Sequence, residues 1–248
     1  TESWISMEST ISLQEVVAVI QAGLSVKTEH IIMISRILPD RHGKQIDGYW
    51  YYFQKDGKIL SSGWREKAGN YYYYDEAAHL VMNRGIGING HWYYVDENGK
   101  KYVSQFRQKD DTWYYYDENG YLVLNRELDI NGKHYKFTGS GAVYTGWSVG
   151  EDGAYYYDQQ GSCLTDMGSQ IDGYWYYFQK DGKMLYSDWR EKDTGYYYYD
   201  DRGHLILNAG IQFNGYWYYL DGSGRRYESA VPVRKVQTGT IMMRKVIW

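Results

Sequence analysis

Tryptophan and tyrosine are the residues of this chain whose type and spacing could do chemistry. One position of a recurring strand carries Trp50, Tyr71, Trp92, Trp113, His134, Ala154, Trp175, Tyr196 and Trp217. Two residues on stand Tyr52, Tyr73, Tyr94, Tyr115, Lys136, Tyr156, Tyr177, Tyr198 and Tyr219. Side chains two apart on a strand share a face. That face tolerates His134, Ala154 and Lys136, whereas truncating a packed Trp to Ala costs about 3–5 kcal/mol, so it is expected to look outward. An aromatic ring offers a flat surface to the apolar face of a sugar, and its π-cloud attracts a cation. Binding is therefore placed on this face, at Trp50, Tyr71, Tyr73, Trp92, Trp113, Trp175, Tyr196, Tyr198 and Trp217. Sites are expected to be absent around Ala154, His134 and Lys136.

Other chemistry is hard to find. The acidic residues Asp75, Asp96, Asp117, Asp158, Asp200 and Asp221 lack the spacing of a calcium loop, and an Asp that stabilises a tight turn is the simpler reading. His79 and His204 are equivalent positions read as repeat-surface histidines, and His30, His42, His91 and His134 have no metal spacing. No nucleophile motif or phosphate loop is present. No catalytic residue, metal or cofactor is assigned, and the chain is read as not an enzyme. Cys163, the single cysteine, stands where other copies carry Ile59, Leu80, Leu122, Val143, Met184 and Leu205, and is read as a core residue.

The elements that position the rings repeat. Aligned on a polar turn, copies fall at Gly57, Ala78, Gly99, Gly120, Gly141, Gly161, Gly182, Gly203 and Gly224, at steps of 20 or 21. A unit this short cannot bury a hydrophobic face alone and must stack on its neighbours. In Asp47–Leu60 the pattern of aromatic strand, polar turn and short apolar stretch is read as one β-hairpin. The alternate strand face carries Tyr six residues before the turn in every copy. Four before it stand Phe53, Tyr74, Val95, Tyr116, Phe137, Tyr157, Phe178, Tyr199 and Leu220, the expected interior. A further aromatic precedes some hairpins, at Trp64, Phe106, Trp147 and Trp189, against Ile86, Leu128 and Ile211 in the others, which gives a period of two units. The segment at Gln45 returns at Gln170, 125 residues on, with only Ile59 and Met184 differing over sixteen residues, the mark of block duplication.

Composition agrees with a thin, ring-rich sheet. Of 248 residues 19% are aromatic, with 31 Tyr and 10 Trp against 5 Phe. The net charge of −4 is scattered, so the footprint of a nucleic-acid binder is missing. No apolar run is long enough for a membrane span.

The units SSGWREKAGNYYYYDE and IDGYWYYFQKDGKML resemble the cell-wall-binding repeats of Gram-positive surface proteins, a superfamily that includes choline-binding modules, glucan-binding repeats of glucansucrases and the repeats of clostridial toxins. The resemblance spans about Gln45 to Tyr227. It implies an all-β β-solenoid of stacked hairpins and, in the choline-binding branch, a cage of Trp and Tyr rings between consecutive hairpins. Residues matching cage positions are Trp64, Trp147 and Trp189 ahead of the strands and Trp50, Trp92, Trp113, Trp175 and Trp217 within them. The chain departs from that branch, because most units carry one tryptophan and the cage methionine is present only as Met184. Phrases such as LILNAGIQFNGYWYY look more like the glucan-binding branch.

The expectation is therefore a non-catalytic, secreted or cell-surface module that binds cell-wall or glucan-type polysaccharide. Choline on a cell-wall polymer is the close alternative, and an adhesin or toxin-like arm for a host protein or glycan is the more distant one; a spacer is a third. The repeat domain is placed at 45–230. Residues 1–44 are read as a partly helical cap or the tail of a preceding domain, with an amphipathic helix at Ser12–Gly23. Residues 231–248 are read as a capping strand.

Overall fold

The computed structural model describes residues 44–46, 48–54, 58–193, 195–227 and 233–234. The expected N-terminal helix lies outside the described residues, as does most of the 231–248 segment. The described part is all-β, a succession of nine antiparallel hairpins. They are Lys44–Ile46 (β1) with Tyr49–Tyr51 (β2), Gly63–Lys67 (β3) with Asn70–Tyr74 (β4), Arg84–Ile88 (β5) with His91–Val95 (β6), and Gln105–Lys109 (β7) with Thr112–Tyr116 (β8). There follow Glu127–Ile130 (β9) with Lys133–Lys136 (β10), Gly146–Gly150 (β11) with Gly153–Tyr157 (β12), and Met167–Ile171 (β13) with Tyr174–Phe178 (β14). The last are Asp188–Lys192 (β15) with Gly195–Tyr199 (β16), and Gly210–Phe213 (β17) with Tyr216–Tyr219 (β18), to which Val233–Arg234 (β19) adds a third strand.

The hairpin is not the one read from the sequence. The aromatic strand pairs with the segment ahead of it, and the polar turn behind it closes only a single bridge, such as Tyr74 with Leu80. The reason lies in the two-residue connections. Asn89-Gly90, Asn131-Gly132, Asp172-Gly173 and Asn214-Gly215 all have positive φ at both residues, the type I′ geometry that matches strand twist. The polar turn has another task. The carboxylates of Asp96, Asp117, Asp158, Asp200 and Asp221 each accept two backbone N–H bonds from the residues two and four further on, so these acids are turn chemistry.

The register also corrects the pairing of positions. Trp64, Trp147 and Trp189 lie opposite Tyr73, Tyr156 and Tyr198, whereas Ile86 and Ile211 lie opposite Tyr93 and Tyr218, one residue out of step. The true counterparts of the tryptophans are Gly85, Gly168 and Gly210, opposite Tyr94, Tyr177 and Tyr219. Even-numbered hairpins thus carry a ring where the third, seventh and ninth carry glycine and the fifth carries Glu127, opposite Lys136, and the two-unit period stands on this contrast.

Two compact units divide the chain: Thr1–Asn125 with Thr138–Ala142, and Arg126–Phe137 with Val143–Trp248. Within each, one backbone bond ties a hairpin to the next. The residue two after the turn donates its N–H to the carbonyl of the outward strand position one repeat earlier. Examples are Leu80 to Trp50, Lys101 to Tyr71 and Leu122 to Trp92 in the first unit, and Met184 to Ala154, Leu205 to Trp175 and Arg226 to Tyr196 in the second, at 2.7–2.8 Å. Phe53, Tyr74, Val95, Tyr116, Phe137, Tyr157, Phe178, Tyr199 and Leu220 are all buried, as expected of the interior. Cys163 is buried as well.

Candidate functional site

The odd-numbered hairpins leave their strand tryptophans uncovered. Trp50, Trp92, Trp175 and Trp217 are 38%, 55%, 45% and 36% exposed, although an indole gains by burial. Tyr49, Tyr174 and Tyr216, immediately ahead of three of them, are exposed too. The Trp92 indole lies over Gly87 of the paired strand, 3.5 Å from where a Cβ would stand, so the glycine provides its seat. In the second unit Trp175 lies in a groove of about 510 Å³ whose wall includes Asp166, Arg190, Lys192 and Tyr197. The block duplication puts Arg65, Lys67 and Tyr72 at the corresponding positions around Trp50.

In the fifth hairpin the pattern breaks. His134 stands where a tryptophan is expected, its Nδ1 2.8 Å from Asp129 and its Nε2 3.3 Å from Glu127, which also pairs with Lys136 at 3.3 Å. These residues line a polar cleft of about 910 Å³ that reaches Asp152, Asp158 and Asp181. The cleft has charge where the other odd-numbered hairpins carry an exposed indole.

The second, sixth and eighth hairpins build cages with the hairpin that follows. Trp64 packs on Tyr73 of its own hairpin at 5.1 Å between ring centroids and on Tyr93 of the next at 5.2 Å. Trp189 does the same with Tyr198 and Tyr218 at 5.1 and 5.2 Å. Trp147 packs with Tyr156 and Tyr176 at 5.1 and 4.9 Å. Tyr71 and Tyr196 complete the first two cages, and each of those cages holds a cation of the chain itself. The Lys101 Nζ lies 5.1, 4.5 and 5.6 Å from the ring centres of Trp64, Tyr71 and Tyr93. The Arg226 guanidinium lies 5.6, 4.3 and 5.7 Å from those of Trp189, Tyr196 and Tyr218. Burial against the rings pushes the Lys101 ammonium below its ordinary pKa, partly offset by Asp117. At the Trp147 junction Ala154 replaces the strand tyrosine, and Met184 packs there with Trp147, Tyr156 and Leu164 around the buried Phe178.

Of the residues singled out in the sequence, Trp64, Tyr71 and Tyr73 come together in one cage, Trp189, Tyr196 and Tyr198 in another, and Trp147 sits in the third. Trp50, Trp92, Trp175 and Trp217 form the exposed set, and Trp113 is half-buried edge-on to Phe106 at 6.3 Å. Tyr93, Tyr176 and Tyr218, read as interior, are cage walls. Lys101 and Arg226 were missed. Their signal was present: two after the turn, every copy but theirs is apolar, from Ile59 to Leu205. His79 and His204 are braces, each stacked on a tyrosine at 3.9 Å (Tyr49 and Tyr174) and hydrogen-bonded to another, Tyr51 and Tyr176.

Five segments, residues 44–59, 88–101, 104–122, 170–184 and 211–225, match the model of the cell wall binding repeat. These segments are cell wall binding repeats. They fall on the hairpins that carry Trp50, Trp92, Trp113, Trp175 and Trp217, and the second of them ends on the caged Lys101. Comparison with curated proteins gives no match. Among solved structures, the choline-binding domain of CbpL from Streptococcus pneumoniae is similar at 20% identity and a TM-score of 0.59, over 76% of this chain and 98% of that one. Choline binding protein F of the same organism, crystallised in the presence of a peptidoglycan analogue, is similar at 23% identity and a TM-score of 0.55, over 72% of this chain and 61% of that one. The modular autolysin LytC of S. pneumoniae is similar at 17% identity and a TM-score of 0.54, over 75% of this chain. The match spans only 46% of LytC's own chain. At these identities the likeness is one of fold. Among the described residues no helix is long and apolar enough to cross a membrane, and no group of side chains is arranged to hold a metal ion.

Proposed function

We propose that the chain is a non-catalytic module that binds cell-wall or glucan-type polysaccharide outside the cell, each compact unit a stretch of β-solenoid offering rings at alternate hairpins. One observation carries this reading: Trp50, Trp92, Trp175 and Trp217 stand more than a third exposed, each on an odd-numbered hairpin. A pyranose can lay its apolar face on such an indole while Asp166 accepts from, and Arg190 and Lys192 donate to, its hydroxyls. Shallow sites of this kind are individually weak. A polymer that engages several gains by effective concentration, by as much as about 10²–10⁴-fold over one site.

Choline on a cell-wall polymer is the second reading, and the Trp147 junction favours it. There Trp147, Tyr176 and Met184 stand together, and among the described residues no side-chain cation lies over the Trp147 ring. The two readings separate on solid polymers. The protein is applied to insoluble α-glucan and to purified Gram-positive cell walls, then eluted with choline or with soluble dextran. The polysaccharide reading expects retention, release by dextran but not by choline, and weaker retention of Trp92→Ala and Trp175→Ala. Release by choline alone would replace it with the second reading. Failure to bind either matrix would leave a host-directed arm or a spacer.

A further inference from the structure

We propose that Lys101 and Arg226 are internal ligands: cations of the chain itself that fill the ring cages at two hairpin junctions and so exclude exogenous quaternary ammonium ions from them. The proposal concerns the cages rather than the exposed tryptophans, and it stands whether or not those bind saccharide.

Three observations converge on it. The first is geometry: each cation lies within 6 Å of three ring centres, two from its neighbour hairpin and one from its own. The second is anchorage. The Lys101 N–H is bonded to the Tyr71 carbonyl at 2.8 Å, which places its side chain on the cage. Its methylene stem runs over Gly120, where a Cβ would come within 3.0 Å of Cδ and Cε, and its Nζ donates to the Asn119 carbonyl at 3.0 Å. The half-buried ammonium meets three ring faces and one carbonyl. Arg226 repeats the backbone anchor on Tyr196 at 2.8 Å.

The third is correlation within the chain. Trp64 with Tyr71 and Trp189 with Tyr196 are the junctions where both a leading tryptophan and a strand tyrosine are present, and these two receive a cation. Where Ala154 removes the strand ring beside Trp147, the same position is Met184. The two cations differ in chemistry, one ammonium and one guanidinium, although they lie 125 residues apart in the duplicated pattern. What the two sites share is positive charge facing three rings. An exogenous cation would have to displace a charge already tethered in the cage, and weak sites lose that competition against an intramolecular rival.

The test uses the full chain and tetramethylammonium chloride as the probe, with sodium chloride as the ionic-strength control, and counts sites by calorimetry and tryptophan fluorescence. Lys101→Ala is expected to gain one saturable site over the wild type, at least tenfold tighter than any wild-type binding at that junction. Arg226→Ala should gain one as well, and the double variant two. Adding Trp64→Phe to Lys101→Ala should weaken the gained site. Lys101→Met, which copies the residue at position 184, guards against a variant that fails to fold. A second readout needs no substitution: the ε-methylene protons of one lysine in the wild type should resonate well upfield of the others because of ring currents. Two results would overturn the proposal. One is wild-type binding that is already weakened by Trp64→Phe and Trp189→Phe. The other is a folded Lys101→Ala that gains nothing while no wild-type lysine shows the ring-current shift.

Discussion

Replacing Gly120 by alanine probes the junction between repeats and the seat of Lys101 together. Gly120 has φ of +77°, and a Cβ there would lie 2.8 Å from the Tyr102 backbone carbonyl and 3.0 Å from the Lys101 stem. Gly69, in the same unit, has φ of +75° with nothing within 4 Å of an added Cβ. Both substitutions force an L-residue into the left-handed region, at roughly 1–2 kcal/mol, offset by about 0.4–1 kcal/mol of entropy removed from the unfolded chain. Gly69→Ala should therefore cost about 1 kcal/mol or less. Gly120→Ala adds overpacking against a backbone atom, which cannot swing aside, at about 1–3 kcal/mol. The sum of about 1–4 kcal/mol is a large share of the roughly 5–15 kcal/mol that holds a domain folded. Urea unfolding followed by tryptophan fluorescence measures both variants on one scale. Equal midpoints and slopes for the two would refute the reasoning, because it would mean that the approach of one repeat to the turn of the next carries no stability. Ala78, which occupies this turn position with φ of +63°, shows that the backbone accepts a Cβ there and that the neighbouring atoms decide the cost.

Phe178, fully buried in the second unit, should cost about 3–5 kcal/mol on truncation to Ala, read as a fall in the urea midpoint; a change under about 1 kcal/mol would place it outside the core. Burial, with smaller contributions from Glu127, Asp158 and Asp181, pushes the Cys163 thiol up from 9.0 to about 11, so iodoacetamide at pH 8 should alkylate it only after unfolding. Burial also lifts Tyr116 from 10.0 to about 12. Both groups hold their protons longer in the folded state, so their contribution is complete below the unfolded pKa values and is lost as pH rises through the folded ones. Stability should then fall from about pH 9 upward, with Lys101, whose pKa is lowered, acting in the opposite sense; a thermal midpoint that is flat or rising between pH 9 and 11 would contradict this.

The period, the all-β class and the buried position four before the turn were legible because the repeat supplies internal comparisons. Nine copies of one strand separate an interior that stays large and apolar from an outer position that tolerates His134 and Ala154. The partner of that strand was misread for a physical reason. The polar turn at Asp96 or Asp117 has the composition of a hairpin loop, but its carboxylate satisfies the loop's own N–H groups, while the short Asn-Gly and Asp-Gly connections make the ladder. The cages were half legible. Trp64 and Trp189 stand out by type, but their walls Tyr93 and Tyr218 come from the following hairpin, and no pattern within a single unit reveals that. Lys101 and Arg226 were visible as departures from an apolar column, and only the cross-hairpin bond to Tyr71 and Tyr196 gives that departure a meaning.

The central claim is that the exposed tryptophans bind saccharide while the filled cages refuse cations. Titrating soluble dextran against intrinsic tryptophan fluorescence, with the wild type and with Trp50, Trp92, Trp175 and Trp217 each changed to Ala, tests it most directly. The account predicts a saturable change in the wild type that each substitution weakens and that Trp64→Phe leaves intact. A response that survives all four substitutions, or one that Trp64→Phe abolishes, would contradict it.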